Sequence, residues 1–572
     1  MQQHGAKSEF QRRLLETRLA SGRRLIDYTE LEKVVAWWFV DFGFDQFLER
    51  LLNGGLSERP RRARFAALEA YKRLEVVVHA LESILVSLIL FVFEKKRAHE
   101  DFDGKPKVLF TAQNLQWRVI KDDETGLPRK SDAFFDTVLK HLREEAQCIG
   151  VFPLSMGDRI EARSMYRGLQ ILADKLHNWY IPQRPFEHYW SLNASHSERR
   201  AAGVFGSAWR SLERDETFRR ICDGIGDSAS KWTRARLEYY FRISFPRAVR
   251  YVEIAKRLID KEKPNLIVLL NEYGLFERTL LVAAKQRRVP TLALQHGDIH
   301  PFHRGYMYID NAEGKKGESF RHFIPDMTAV YGEYQKRLLT ACGNYPSNCV
   351  VVTGQPRYDR LHRIDKIYSR ERFFERYGIP SHHRLVLWTT QCQVLSPQEN
   401  IDNFRAVFGA IKAVRNVTLV IKQHPGEDEH QTEMIRHYLE GYEISAVLTP
   451  PSSDTYEMLF ACDLLITKTS TTGMEAVALG KPLILLALAG RLDSVDYVGA
   501  GVAVAVFEQE RLAREIEKLL RDDSELATNR KAFVKKYLNR IDGKATARVA
   551  NLILHMADQS TSASSSQMRN RT

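Results

Sequence analysis

"LLITKTSTTGMEAVALGKPLILL" spans Leu464–Leu486. Two apolar runs flank a segment crowded with hydroxyls: Thr467, Thr469, Ser470, Thr471 and Thr472. A chain that only had to turn would more often use Gly, Pro or Asn. The stretch reads as strand, loop, short helix ending at Gly480, then strand. A helix N-terminus offers unpaired backbone N–H groups and a partial positive charge, which suits phosphate. The hydroxyls can donate to phosphate oxygens, and Lys468 adds charge. A structural reading stands beside this one. Thr472 and Glu475 have the spacing of a capping box, which would commit both to starting the helix. Glu475 would otherwise be placed to accept from a ribose hydroxyl. With the cap formed, Thr469, Ser470 and Thr471 are left for a nucleotide phosphate, and His424 is the expected neighbour from the adjacent strand end.

Outward from this stretch the same alternation recurs. "RLVLWTT", "VTLVIKQ", "ISAVLTP", "PLILLAL" and "AGVAVAV" read as further strands, with helical segments between most of them. An earlier series holds "KVLFTA", "CIGVFPL", "PNLIVLLN", "TLALQH", "MTAVYG" and "CVVVTG". Short, β-branched, near-continuously apolar strands are those of parallel sheets covered on both faces. Two such series predict two doubly wound, Rossmann-like α/β domains facing a cleft. The expected divisions are a helical N-terminal region over 1–104, a first domain over 105–360 and a second over 361–557. A helical insertion is expected at about 156–250 and a disordered tail at 558–572. Ser131 is the expected cap of the helix in "SDAFFDTVLKHLREEA".

The composition fits globular cores: 44% hydrophobic and 27% charged residues among 572. The net charge of +13 favours anionic partners such as nucleotides or an acidic membrane surface. The excess is spread widely with no long basic tail, so no nucleic-acid partner is expected. Six scattered cysteines match no zinc pattern and fit a reducing cytoplasm. The polar start "MQQHGAKSEFQRRLLETR" does not read as a signal peptide. "VVVHALESILVSLILFVFEKKR", Val76–Arg97, is strongly apolar with basic flanks, but His79 and Glu82 leave only Ser83–Phe93 free of titratable groups, short for a spanning helix. It is expected to be a buried helix, with attachment to the inner membrane face as the alternative.

In open α/β sheets ligands bind beyond the carboxyl ends of the strands. Those positions carry Glu272, His296 and Gly297, Gln355 and Arg357, Thr389 and Thr390, Lys422, His424 and Glu427, and the 468–472 segment. Glu272 is a candidate base, against a solvated loop carboxylate. His296 is a candidate cleft residue, against a structural turn histidine. His424 is fixed by Pro425 and neighboured by Lys422, which favours function, and Lys422, His296 and Gly297 join the 468–472 segment as candidates for the donor phosphate. His300 and His303 are weaker candidates that line the same loop. The D-x-D of Asp101–Asp103 precedes the first core strand and reads as a chance match, so no metal or other cofactor is expected. P-loop and G-x-G-x-x-G motifs are absent from the sequence.

"LALQHG", "VVTGQPRYD", "IKQHPGE" and "DLLITKTSTTGMEAVALGKPLILL", in this order, resemble GT-B glycosyltransferases of bacterial surface-polysaccharide synthesis. The nearest types are the polysialyltransferases and the CDP-glycerol glycerophosphotransferases. UDP-N-acetylglucosamine 2-epimerases share the architecture and a "VVTG-x-P" stretch. The resemblance implies a nucleotide-sugar or CDP-polyol donor in the second domain and a glycan or glycolipid acceptor at the first. It matches Glu272 to the acidic base, His424 to the donor phosphate, and Thr469, Ser470, Thr471 and Thr472 to the phosphate loop. Two alternatives remain: an epimerase-like enzyme needing no acceptor, and a non-catalytic glycan- or lipid-binding scaffold.

Overall fold

The computed structural model describes residues 2–31, 34–52, 77–92, 104–111, 116–122, 127–154, 170, 172–176, 181–301, 303, 305–307, 324–468, 470–490 and 495–569. Two parallel sheets organise them. The first contains β1 (Lys107–Thr111), β2 (Gln147–Phe152), β3 (Gln183–Pro185), β4 (Leu266–Leu270), β5 (Thr291–Leu294), β6 (Met327–Val330) and β7 (Val350–Val352). Their order is β7-β6-β5-β4-β1-β2-β3. The second contains β8 (Arg384–Thr389), β9 (Val417–Lys422), β10 (Ala446–Thr449), β11 (Leu464–Thr467), β12 (Leu483–Leu486) and β13 (Val504–Val506), ordered β10-β9-β8-β11-β12-β13. Every residue of β4 and β9 is buried. Helices cover both faces, so these strands have no polar side to show.

Each sheet winds outward from its middle in both directions. The winding reverses between β1 and β4 in the first sheet and between β8 and β11 in the second. Crevices form at such reversals, beyond the strands' carboxyl ends. One reversal therefore lies at Asn271 and Glu272, and the other at Thr389 and the hydroxyl-rich loop. The fold is the expected pair of doubly wound domains.

Five expectations change in detail. The stretch over 156–250 is not purely helical. It supplies β3, paired parallel to β2, and Pro185 sits where an edge strand tolerates a missing N–H. Ser131 is not the cap of the following helix: it lies in a hairpin strand, and Asp132 Oδ1 instead accepts from the amides of Phe134 and Phe135 at 2.9 Å each. The carboxylate is the stronger acceptor for two amides at once. The N-terminal region does not stand apart. Trp37, Trp38 and Phe44 share one core with Trp209, Phe245 and Leu258.

The fourth change concerns the C-terminus. After β4 comes α1 (Leu275–Arg287), after β8 comes α2 (Pro397–Ala413), after β11 comes α3 (Thr472–Ala478), and the chain closes with α4 (Ala545–Arg569). Asp359 accepts from the amides of Ala545 at 2.8 Å and Thr546 at 2.7 Å, fixing where α4 starts. The helix then crosses back, and Val549, Ala550 and Ile553 join the core of the first sheet with Val108 and Leu266. With no Gly or Pro after Gly543 to stop it, α4 runs on to Arg569 through the stretch expected to be disordered.

The apolar segment of the N-terminal region is a helix over residues 77–92. It buries only one face. Val86 and Leu90 are in the core, and Ser87 Oγ lies 2.8 Å from His188 Nδ1. On the other face Val77, Leu81, Ile84, Leu88, Phe91 and Val92 are 55–65% exposed. The expectation of a buried helix is thus corrected to a half-buried one, because the core beneath has room for a single stripe.

Candidate active site

At the first reversal the chain leaves β4 through Asn271, whose φ of 66° is one that Asn tolerates better than most residues. The turn sends Glu272 inward, where it is 1% exposed. The Tyr345 phenol donates to Glu272 Oε1, and Thr328 Oγ1 donates to Oε2 at 3.2 Å. Burial pushes this carboxyl up to about 7, against the opposing pull of both hydrogen bonds and of Arg278. The residue expected to face an acceptor hydroxyl is therefore enclosed.

His296 lies closer to the surface and is only half-buried. Its ring centroid is 4.8 Å from that of Phe134, and Gln116 Nε2 is 3.0 Å from its Nε2. Its carbonyl accepts from Tyr331 Oη at 2.9 Å, and Gln355 Nε2 donates to that phenol at 2.6 Å. Tyr331 thus holds the His296 backbone, and Gln355, named from another strand end, holds Tyr331. The Gly297 carbonyl accepts from Gln295 Nε2 at 2.7 Å. A Cβ added at Gly297 would meet nothing within 4 Å, so packing does not require glycine there. His303 is structural. It stacks on Phe42 at 5.2 Å, and burial pushes its imidazole down to about 3.

At the second reversal three adjacent strands, β9, β8 and β11, deliver the remaining candidates side by side. His424 is exposed at the tip of the loop after β9. The Gly426 amide donates to its Nδ1 at 3.0 Å, so the neutral ring carries its proton on Nε2. The loop beneath is anchored twice. Glu427 Oε2 accepts from Thr390 Oγ1 at 2.8 Å, and Oε1 accepts from the Cys392 amide at 2.7 Å. The Lys422 ammonium donates to the carbonyls of Gln423 and, at 2.9 Å, Pro451. Lys422 was expected at the donor phosphate; it is 3% exposed and braces the loop that presents His424.

The hydroxyls do not form the expected capping box. Thr471, not Thr472, is the N-cap of α3, and it makes no side-chain capping bond. Thr472 Oγ1 instead donates to Ser470 Oγ at 2.8 Å and lies 3.4 Å from Thr389 Oγ1. Thr389 Oγ1 in turn donates to Thr467 Oγ1 at 2.7 Å. Glu475 is turned toward Tyr456, whose phenol donates to its Oε1 at 3.2 Å. The Ser470 hydroxyl has taken Thr472 from the cap, with Thr389 of β8 standing beside it. Ser470, Thr471 and Thr472 keep partial or full exposure. Thr469 lies outside the described residues, as do Asp101–Asp103.

Lys468 reaches α2: its Nζ lies 3.0 Å from Glu399 Oε1. Burial works to raise the Glu399 carboxyl, yet the hydrogen bonds from Lys468 and Ser396 prevail and hold it down at about 2. Neither Glu399 nor Tyr345 was singled out from the sequence. Ser396-x-x-Glu399 is a legible capping box, and it does form here. Its second use as an ion-pair partner depends on folding and leaves no local signal. Among the described residues no group of three or more His, Cys, Asp or Glu is placed to hold a metal ion.

The chain is 31% identical, over 134 residues, to a UDP-N-acetylglucosamine–N-acetylmuramyl-(pentapeptide) pyrophosphoryl-undecaprenol N-acetylglucosamine transferase of Rhodopseudomonas palustris (strain BisB5). The match covers 22% of this chain and spans 36% of that relative's length. Among solved structures, a wall teichoic acid polymerase superposes with a TM-score of 0.44 at 13% identity, covering 86% of this chain and 98% of that one. A UDP-GlcNAc 2-epimerase from Neisseria meningitidis gives 0.46 at 12% identity, covering 78% and 100%. The family model described as CDP-glycerol:poly(glycerophosphate) glycerophosphotransferase matches residues 239–555, which take in β4 to β13, the strand ends at Glu272 and Thr389, and the first part of α4. More than half of the chain lies in that match, and the chain belongs to this glycerophosphotransferase family.

Proposed function

We propose that the chain transfers a polyol phosphate, or a sugar, from a nucleotide-activated donor to a surface-glycan or glycolipid acceptor. Family membership makes a CDP-polyol the first donor to test and a nucleotide sugar the second. The observation that carries the reading is the convergence of His424, Thr389 and the 470–472 hydroxyls on three adjacent strand ends at a winding reversal. Nε2–H of His424 and the hydroxyls are donors suited to a departing nucleotide phosphate, where negative charge accumulates. Those donors supply the electrostatic stabilisation, so no metal is assigned.

The acceptor hydroxyl must lose a proton, and the base must reach it. Glu272 is enclosed by Tyr345 and Thr328, whereas His296 is only half-buried, with Gln116 at its Nε2 and Phe134 against its ring. The role of general base therefore passes from Glu272 to His296, whose Nε2 takes the proton once an acceptor hydroxyl replaces the Gln116 amide there. In the polyol-phosphate case the acceptor oxygen attacks the phosphorus bearing the polyol. The bond to the bridging diphosphate oxygen breaks, CMP leaves with that electron pair, and the acceptor proton goes to His296.

The half-buried helix over 77–92 gives this reaction a place. Its open apolar stripe lies within five residues of Lys95, Lys96 and Arg97. Sixteen helical residues extend about 24 Å, less than a bilayer core of about 30 Å. No described helix is long and apolar enough to cross a membrane. We place this stripe in the plane of an anionic inner membrane face, where a lipid-linked acceptor would be met.

The test is incubation of the purified chain with CDP-glycerol and with UDP-sugars, each with and without a glycolipid acceptor. Acceptor-dependent release of CMP or UDP with an extended acceptor is the expected result. Epimerised sugar without acceptor would establish the epimerase alternative instead, and no nucleotide binding at all would leave the scaffold reading.

A further inference from the structure

Arg357 follows β7 in the turn Pro356–Arg363, on the link between the two domains. Its guanidinium carbon lies 4.0 Å from the centroid of Phe134, the ring that also packs on His296. Its Nε is buried without a partner, and it forms no ion pair among the described residues. The groups acting on its charge are Tyr456, Tyr331, Glu475 and Tyr358. Two of these are engaged elsewhere: Tyr456 donates to Glu475 Oε1, and Tyr331 donates to the His296 carbonyl. Phe134, Tyr331 and Tyr358 come from the first domain and the link. Tyr456 and Glu475 come from the second, and Glu475 lies on α3, directly after the hydroxyl loop.

A guanidinium does not deprotonate in a protein, and it carries five N–H donors. The side chain is half-buried with its Nε shut off from solvent and no anion paired with it among the described residues, and a shielded charge of this kind is ordinarily paired. Stacking on Phe134 satisfies its face but none of its N–H groups. Its position between the His296 side and the hydroxyl loop is where a phosphorylated ligand bridging both domains would pass. We infer that Arg357 is the cation of the cleft and binds a phosphoryl group there through its planar fork. The inference rests on the transferase reading and adds a residue to it. The phosphoryl group belongs either to the nucleotide donor or to a phosphorylated acceptor.

The experiment uses the full chain as wild type, Arg357→Lys and Arg357→Gln, with binding of CDP, CMP, cytidine and glycerol 3-phosphate measured by calorimetry. Melting temperature without ligand verifies folding. Loss of one charge-assisted contact weakens binding by about tenfold or more. If the donor supplies the phosphoryl group, Arg357→Gln weakens CDP by that factor and leaves cytidine unchanged. If the acceptor supplies it, glycerol 3-phosphate shows the loss and CDP does not. Arg357→Lys retains the charge without the fork and falls between. Unchanged binding of every phosphorylated probe by a folded Arg357→Gln overturns the inference while the transferase reading stands. Equal weakening of cytidine also overturns it, since the residue would then only shape the cleft. No binding of any nucleotide by the wild type overturns the transferase reading and this inference with it.

Discussion

Lys468 Nζ sits 3.0 Å from Glu399 Oε1, joining the end of β11 to the first turn of α2. The ion pair is mostly shielded, with the two side chains 9% and 19% exposed. It fixes the entry to the hydroxyl loop before any ligand arrives. Glu399→Gln keeps the shape and removes the charge. It is expected to lower stability at neutral pH by about 1 kcal/mol. The depressed Glu399 carboxyl contributes stability above its unfolded value near 4.5 and loses it as pH falls toward about 2. Denaturant melts from pH 2 to 7 are therefore expected to bring wild type and variant together toward the acid end. Parallel curves across that range would show that the pair contributes nothing to the fold.

Glu272 predicts the opposite slope. Its folded carboxyl is raised from 4.5 to about 7, chiefly by burial. The folded state then binds more protons than the unfolded state between these values. The contribution is fully present below pH 4.5 and lost as pH rises to about 7, on the order of 3 kcal/mol. Glu272→Gln keeps an oxygen for Tyr345 and carries no charge. Its melting temperature is expected to gain on the wild type between pH 5 and pH 8. An equal difference at both pH values would mean that the wild-type carboxyl is not raised by burial.

The acceptor side is tested by comparing two variants. His296→Asn is expected to lower transfer by about a hundredfold or more, the scale of a lost general base, with nucleotide affinity nearly intact. Glu272→Gln is expected to keep most of the chemistry. A dead Glu272→Gln beside an active His296→Asn, both folded, would return the base to Glu272.

These residues also mark what the sequence discloses. β4, β9, β11 and β12 are legible because full burial leaves continuous apolar runs, and His424 because Pro425 and a strand end frame it. Thr472 is misread because its hydroxyl goes to Ser470 in a loop that packs beside Thr389, 83 residues away, and a local capping pattern cannot register that packing. Glu272 is placed at the correct strand end, but its enclosure depends on Tyr345, 73 residues downstream. Lys422 and Lys468 share the reason: both read as free cations near a loop, and folding commits one to backbone carbonyls and the other to a carboxylate.

On the donor side, His424 is expected to act through Nε2, since Gly426 occupies Nδ1. His424→Ala is expected to weaken CDP binding by about tenfold to a hundredfold, the loss of one hydrogen bond to a charged phosphate. The loop is held by Glu427 and Lys422, not by the histidine, so the melting temperature is expected to stay within about one degree. His424→Gln, which offers an N–H from a side chain of similar reach, is expected to recover part of the affinity. A His424→Ala variant that binds CDP as the wild type does would remove this residue from the donor site.

The membrane face is tested by changing the stripe and leaving the core beneath it alone. Leu81 and Leu88 are 62% and 60% exposed and lie on the open side, away from Val86 and Leu90. Replacing both with Glu removes two apolar anchors and adds two charges that anionic headgroups repel. Flotation with phosphatidylglycerol vesicles is expected to recover the wild type and lose the variant, with both chains equally folded by circular dichroism. Neutral phosphatidylcholine vesicles are expected to hold the wild type more weakly, because the basic residues after the helix contribute about 1 kcal/mol each only on an anionic surface. If the stripe instead seats a second copy of the chain, the Glu variant changes the oligomeric state in sedimentation and leaves vesicle binding as it was. That result would move the helix from a lipid contact to a protein interface.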